Sequence, residues 1–297
     1  MLLFGALAFR FNFFRGFAGA PTLLAGFDHW LQRILLAAAA VTLVFSCAWL
    51  DLEAVMMGNG WGDALNTQTL FAVLFRTVFG RAWIWHMAFA AGALVILLIR
   101  RDFQNRNRSA LLLWVAAAVV ASTAWAGHAV MNSGSAGRTQ LLAQVIHLLA
   151  ASAWLGSLPT LAYILYKAQR GQHSGWAAAA RYILPRYSRA GYVAVSLILA
   201  TGCVNSWFLV GSIRALVDTT YGHVLIAKVC LVALMVSVAL VNRIGIMPGV
   251  MRFSESASAA HMPFKRLWKA VALEQLLALA ILAVVGVLGT LPPATPI

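Results

Sequence analysis

From Leu141 to Tyr166 the sequence reads Leu-Leu-Ala-Gln-Val-Ile-His-Leu-Leu-Ala-Ala-Ser-Ala-Trp-Leu-Gly-Ser-Leu-Pro-Thr-Leu-Ala-Tyr-Ile-Leu-Tyr, without one Asp, Glu, Lys or Arg. About 20 predominantly apolar residues cross the hydrocarbon core of a bilayer as a helix, so this run is long enough to span one. It also buries an imidazole. At about 100° per residue, Gln140, Gln144, His147 and Trp154 fall within one stripe of that helix. Lipid tails offer a polar group no partner, so the stripe must face protein or water. An ionisable residue inside a span marks a candidate functional site. A membrane histidine also serves simply to tie one helix to the next, and for His147 alone both readings stand.

The rest of the chain has the same character. Of its 297 residues 62% are hydrophobic and 10% charged, with a mean hydropathy of +0.83. Soluble domains carry about 25% charged residues, so the chain reads as a polytopic membrane protein surrounded by lipid. The net charge of +14 does not imply nucleic acid, because the basic residues are confined to short loops and serve as topology signals. Cys47, Cys203 and Cys230 all lie in apolar segments. They do not outline a disulfide framework, and their default role is small apolar packing. Met1 opens straight into Leu-Leu-Phe-Gly-Ala-Leu-Ala-Phe, without the basic n-region of a cleavable signal.

The pattern predicts an all-α bundle of eight spans: 1 to about 14 (clipped), 31–50, 82–99, 110–127, 141–166, 188–210, 223–242 and 270–290. Alternate loops then hold 17 of the 22 basic residues. By the positive-inside rule those loops are cytoplasmic and both termini periplasmic. The external loop after the second span carries Asp51, Glu53, Met56, Met57 and Asp63, and an amphipathic stretch from Thr67 to Phe79 suited to the interface. Acidic residues at an outer mouth attract cations or are simply solvated.

Two segments match: Thr77-Val-Phe-Gly-Arg-Ala-Trp-Ile-Trp-His86 and Thr219-Thr-Tyr-Gly-His-Val-Leu-Ile-Ala-Lys228. Arg33 and Cys47 are echoed by Arg189 and Cys203 at the same spacing. These matches predict two parallel four-span repeats, 1–127 and 128–297, related by a pseudo-two-fold axis along the membrane normal. Phe4-Gly5-Ala6-Leu7 then corresponds to Leu155-Gly156-Ser157-Leu158, so span 1 lacks the half that would match His147. In-frame coding sequence upstream of Met1 is the expectation that follows.

Of seven histidines, His29, His173 and His261 fall in cytoplasmic loops. The others share the outer level. At 1.5 Å per residue His86 lies about 6 Å and His147 about 9 Å below the outer face. His128 ends span 4 there, His223 opens span 7, and Met131 follows His128. Cys203 lies about 10 Å below the outer end of span 6, with Cys47 nearer the surface. Imidazoles with Met and Cys, in a region poor in carboxylates, suit a soft metal, Cu(I) above all. The expected metal residues are therefore His86, His128, Met131, His147, His223 and Cys203. Structural hydrogen bonding around one functional histidine is the alternative, since no pair has the spacing of CxxC or HExxH. Lys228 either fixes an anion or another helix, or snorkels outward. Glu274 is expected to pair with a loop cation, and the Lys228, Met235, Asn242 stripe of span 7 to form a helix interface.

The sequence His147-Leu-Leu-Ala-Ala-Ser-Ala-Trp154-Leu-Gly156 resembles the hallmark of the bacterial copper resistance protein D (CopD) family. So do Arg186-Tyr-Ser-Arg189-Ala-Gly191 leading to Gly202 and Asn205, Thr220-Tyr221-Gly222, and the segment from Lys228 through Asn242-Arg243. The resemblance covers nearly the whole chain. It implies an eight-span inner-membrane protein working with a periplasmic copper-binding partner of the CopC type and moving copper inward. It carries over His147, with Trp154, Gly156 and Tyr221 as its neighbours.

Three functions follow as alternatives. The first is a copper permease without enzymatic activity: His128, Met131 and His223 capture the ion at the outer lip, His86 and His147 hold it deeper, and Met235, Asn242 and Met247 are the chief ligands below. The second is a b-type haem electron carrier or cupric reductase, since paired membrane histidines on separate helices provide axial ligation. The third is a non-transporting partner that only docks the periplasmic carrier.

Overall fold

A computed structural model of the chain describes residues 1–14, 16–17, 21–58, 60–99, 103, 105–126, 134–170, 174–252 and 261–294. It is helical, with no strand among the described residues. Seven helical segments are long and apolar enough to cross a membrane: Pro21–Met57, Val78–Ile99, Arg106–Ala126, Gly134–Gln169, Gly175–Val210, Thr220–Arg252 and Pro263–Thr290. These contain the expected spans from the second onward, up to residue 126 in the fourth. The chain is a multi-pass membrane protein. Large apolar side chains such as Val44, Phe45, Leu276 and Leu279 point outward, where only lipid tails make that favourable.

The remaining apolar helix, α1 (Leu2–Phe13), is too short to cross by itself. It is nonetheless inside the bundle, with Leu3, Ala6, Leu7 and Phe9 buried. It packs against α2 (Pro21–Met57), α5 (Arg106–Ser122), α6 (Gly134–Leu155) and α7 (Leu158–Gln169). In its last turn Arg10 Nε and Nη2 donate to Asp28 Oδ1 and Oδ2 at 2.6 and 3.0 Å. The guanidinium also lies over Phe14, 5.4 Å from the ring centroid.

The run from Leu141 to Tyr166 is not one uninterrupted helix. It breaks between α6 and α7 at Gly156-Ser157. Pro159 causes part of this, because it has no N–H to donate and its ring crowds the carbonyl of residue 155. The rest is a close crossing: a Cβ on Gly5 would fall on the backbone of Gly156, and one on Gly156 would fall on the carbonyl of Met1. Only glycine at both places lets α1 lie this near the break.

Two helix starts are built alike. The amphipathic α3 (Thr67–Arg76) is capped by Asn66 and ends at Thr77, which opens α4 (Val78–Ile99). Thr77 Oγ1 donates to Val73 O at 2.6 Å and accepts from Gly80 N at 2.8 Å. In the other half α9 (Ile213–Asp218) follows α8 (Ser174–Val210) and precedes α10 (Thr220–Val241). There Thr219 Oγ1 donates to Ala215 O at 2.7 Å and accepts from Gly222 N at 3.0 Å. Each threonine satisfies a carbonyl of the helix behind it and an orphan amide of the helix ahead. Beyond α10 the helix widens to a π turn over Asn242–Ile246, continues as α11 (Met247–Arg252), and α12 (His261–Thr290) closes the bundle.

Candidate functional site: a histidine between two helices

The polar stripe of α6 faces α8, as its periodicity requires. Asn205 Nδ2 donates to Gln144 Oε1 at 2.9 Å. One turn deeper, His147 Nδ1 lies 3.0 Å from Thr201 Oγ1. Gln140, above them, is buried. Two turns further along the helix from His147, Trp154 is buried as well and lines a cavity between α7, α8, α10 and α12. Gly202 keeps the approach open, since a Cβ there would already touch His147 Cε1 at 3.6 Å.

The hydrogen bonds fix the tautomer of His147. Thr201 Oγ1 donates its proton to Leu197 O at 2.5 Å, so towards the ring it can only accept. His147 Nδ1 therefore carries the proton in the neutral ring, and Nε2 keeps its lone pair. Nε2 has no hydrogen-bond partner among the described residues. One ring nitrogen held by an outer group and the other open is the arrangement in which imidazole ligates a metal. A second donor atom lies on the adjacent rung, where Asn205 Oδ1 is buried without a partner.

His86 is bound differently. Its ring stacks on Trp83 with centroids 4.5 Å apart. Nδ1 lies 2.9 Å from Ser122 Oγ and 3.2 Å from Val119 O, and Nε2 lies 3.1 Å from Ser46 Oγ. A carbonyl only accepts, so Nδ1 is the protonated nitrogen. The Ser46 hydroxyl then covers Nε2, although it also lies 2.7 Å from Thr42 O. His86 is thus tied to α2 and α5, and a cavity of about 260 Å³ opens beside it, lined by Met1, Ser46, Trp49 and Thr123.

Among the described residues, the other expected metal residues do not join them. His128 and Met131 lie outside the described residues. His223 is exposed, with Nε2 2.7 Å from Val217 O. Cys203 lies on an exposed face of α8, and Cys47 and Cys230 are exposed too. Among the described residues no three His, Cys, Asp or Glu side chains gather as a metal site would require. His86 and His147 belong to different helix pairs, the first tied to α2 and α5 and the second to α8. Tyr221, expected beside His147, packs instead with Val210, Leu225 and Leu288.

Glu274 departs most from expectation. It is 4% exposed and meets no loop cation among the described residues. Asn242 Nδ2, at the π turn, donates to its Oε1 at 2.5 Å. The Met235 and Asn242 part of the span 7 stripe is buried with it. The available sign was a carboxylate well inside an apolar span.

Comparison with known proteins gives a consistent result. Residues 1–138 match the family described as copper resistance protein D-like, N-terminal domain, and residues 181–288 match copper resistance protein D. The inner membrane protein YebZ of Escherichia coli (strain K12) is 31% identical over 97% of this chain and 93% of its own. Copper resistance protein D of Pseudomonas syringae pv. tomato is 30% identical over 99% of this chain and 93% of its own. The copper transport protein CutJ of Bacillus subtilis (strain 168) is 29% identical over 58% of this chain and 31% of its own. No solved structure matches.

Proposed function

Because the chain belongs to the copper resistance protein D family, we propose that it is a bacterial inner-membrane copper transport protein that takes copper from the periplasmic side inward. The observation that carries this reading is the open Nε2 of His147, on a ring oriented by Thr201 and half-buried between α6 and α8. A neutral imidazole suits Cu(I) and adds no negative charge to the membrane interior. A periplasmic carrier of the CopC type delivers the ion to the outer mouth, where His128, Met131 and His223 receive it. His147 then takes it, and Met235, two turns below Lys228 on α10 and fully buried, leads towards the inner cavity. His86 orders the opposite half and offers a second imidazole when Ser46 turns its hydroxyl to Thr42.

The reading also assigns α1 as a short first span and the halves 1–127 and 128–297 as parallel repeats. The matched threonine caps at Thr77 and Thr219 support it. So does the contact between Gly5 and Gly156, because residues equivalent under a two-fold axis touch one another only on that axis. With α1 counted as the first of eight spans the two termini fall on one side, and the basic residues gathered in the opposite loops make that side the periplasm.

Copper uptake into proteoliposomes tests the proposal. Vesicles holding the protein should accumulate radioactive copper under reducing conditions well above protein-free vesicles. Equal counts would reject transport and leave the docking role.

A further inference from the structure

The cavity between α7, α8, α10 and α12 has a volume of about 120 Å³. Its walls are largely apolar, from Leu161, Val195, Val236 and Leu267. Tyr192 and Leu240, both exposed, form part of its lip. Because α8 and α10 barely touch, whereas α2 and α4 in the other half pack together, the cavity opens sideways between them towards lipid. Gly191 stands on the same wall, and a Cβ built on it would meet nothing within 4 Å. Pockets that enclose a whole small molecule measure about 300–1,000 Å³. An occupant of this one is therefore only partly inside, with its remainder in the bilayer.

The rim of the cavity is basic. At 1.5 Å per residue Arg243 lies about 35 Å along its span from Thr220, past the roughly 30 Å of the hydrocarbon core and so at the level of the headgroups. Its Nη1 donates to Ser188 Oγ, and the guanidinium lies 4.2 Å from the Tyr192 ring centroid, so the fork is held at the mouth. Arg189 is exposed and precedes Tyr192 by three residues, which puts it beside that ring on the same face of α8. Neither arginine meets a carboxylate among the described residues. The acidic group on the lining, Glu274, is buried with Asn242 donating to its Oε1 and forms no ion pair with Arg243. Two guanidiniums beside an aromatic ring, next to an apolar slot, match a phosphodiester that carries an acyl chain.

We propose that this cleft is a binding site for an anionic phospholipid, whose phosphate is held by Arg243 and Arg189 while part of one acyl chain enters the cavity beside Gly191. Tyr192 lies between the two, against the glycerol region, as aromatic side chains do at the edge of a membrane. A zwitterionic lipid would bring its own cation towards the same two arginines and lose much of the attraction. The site therefore selects for net negative charge. The bound lipid fills the gap that α8 and α10 leave between them. Copper transport is not needed for the site, and copper is absent from its test.

Native mass spectrometry of the purified full chain tests this, with dioleoyl phosphatidylglycerol and dioleoyl phosphatidylcholine added in equal amounts to the detergent solution. The wild type should retain phosphatidylglycerol over phosphatidylcholine by about fivefold or more, as one basic residue beside an anionic lipid supplies. Arg243→Gln should lose most of that preference. Gly191→Leu should lower retention of both lipids, because its side chain occupies the slot without displacing a protein atom, and folding is retained. Arg214→Gln, which removes an exposed charge at the other end of α10, should keep the wild-type ratio. Glycerol 3-phosphate, a headgroup without chains, should not displace the lipid. Equal retention of the two lipids by the wild type, an unchanged ratio in Arg243→Gln, an equal loss in Arg214→Gln, or full retention in Gly191→Leu overturns the proposal. So does displacement by glycerol 3-phosphate, or retention of ubiquinone in preference to both lipids.

Discussion

Asp28→Ala is expected to destabilise the protein by about 3–5 kcal/mol, the cost of leaving one member of a buried ion pair without its partner. Arg10 and Asp28 have side-chain exposures of only 14% and 11%, and the pair is bidentate at 2.6 and 3.0 Å. Removing Asp28 strands a guanidinium that is left with only the Phe14 ring. Arg10→Ala strands the carboxylate instead and should cost a similar amount. The pair also joins α1 to α2, so its loss should free the helix that closes on Gly156. Replacing both residues by apolar ones of similar size should recover most of the loss, because the desolvation penalty disappears with the charges. Denaturation of the purified protein in detergent measures all three. Single variants within about 0.5 kcal/mol of the wild type, the range of an unconstrained surface change, would show that the pair does not anchor α1.

His147→Ala should lower copper uptake into proteoliposomes by tenfold or more, since a lost ligand bond of about 1.4 kcal/mol already amounts to a factor of ten. Folding should change little, because His147 is only half-buried. Thr201→Val separates orientation from ligation. It leaves the imidazole in place and removes the oxygen that fixes the proton on Nδ1, so about a tenfold loss is expected, at the lower end for an outer-shell partner. Ser46→Ala, at His86, uncovers Nε2 without removing a ring and should not reduce uptake. Uptake in His147→Ala equal to the wild type would remove this residue from the path.

The spans were legible because hydropathy and length suffice for them, and the direction of the α6 stripe because a period of 3.6 places Gln140, Gln144 and His147 together. The threonine starts of α4 and α10 were visible as a matched pair of segments, though not as caps. What the sequence concealed depends on contacts between distant positions. The break at Gly156 needs Gly5, far away along the chain, and the partner of Glu274 needs the π turn at Asn242. Equal depth brought His86, His147, His223 and Cys203 to one level, but depth carries no azimuth. The turn of each helix sends His86 to Ser46 and Ser122, His147 to Thr201, and Cys203 outward. The presence of serine or threonine at those places is common in membrane helices and identified none of them beforehand.

X-ray absorption of the Cu(I)-loaded protein tests the central claim most directly, because it reads which atoms hold the ion. The wild type should show imidazole scattering around copper, and His147→Ala should lose that contribution together with most of the bound metal. Retention of the same copper signal in His147→Ala, or a spectrum in the wild type without a nitrogen neighbour, would contradict a path through the α6–α8 interior.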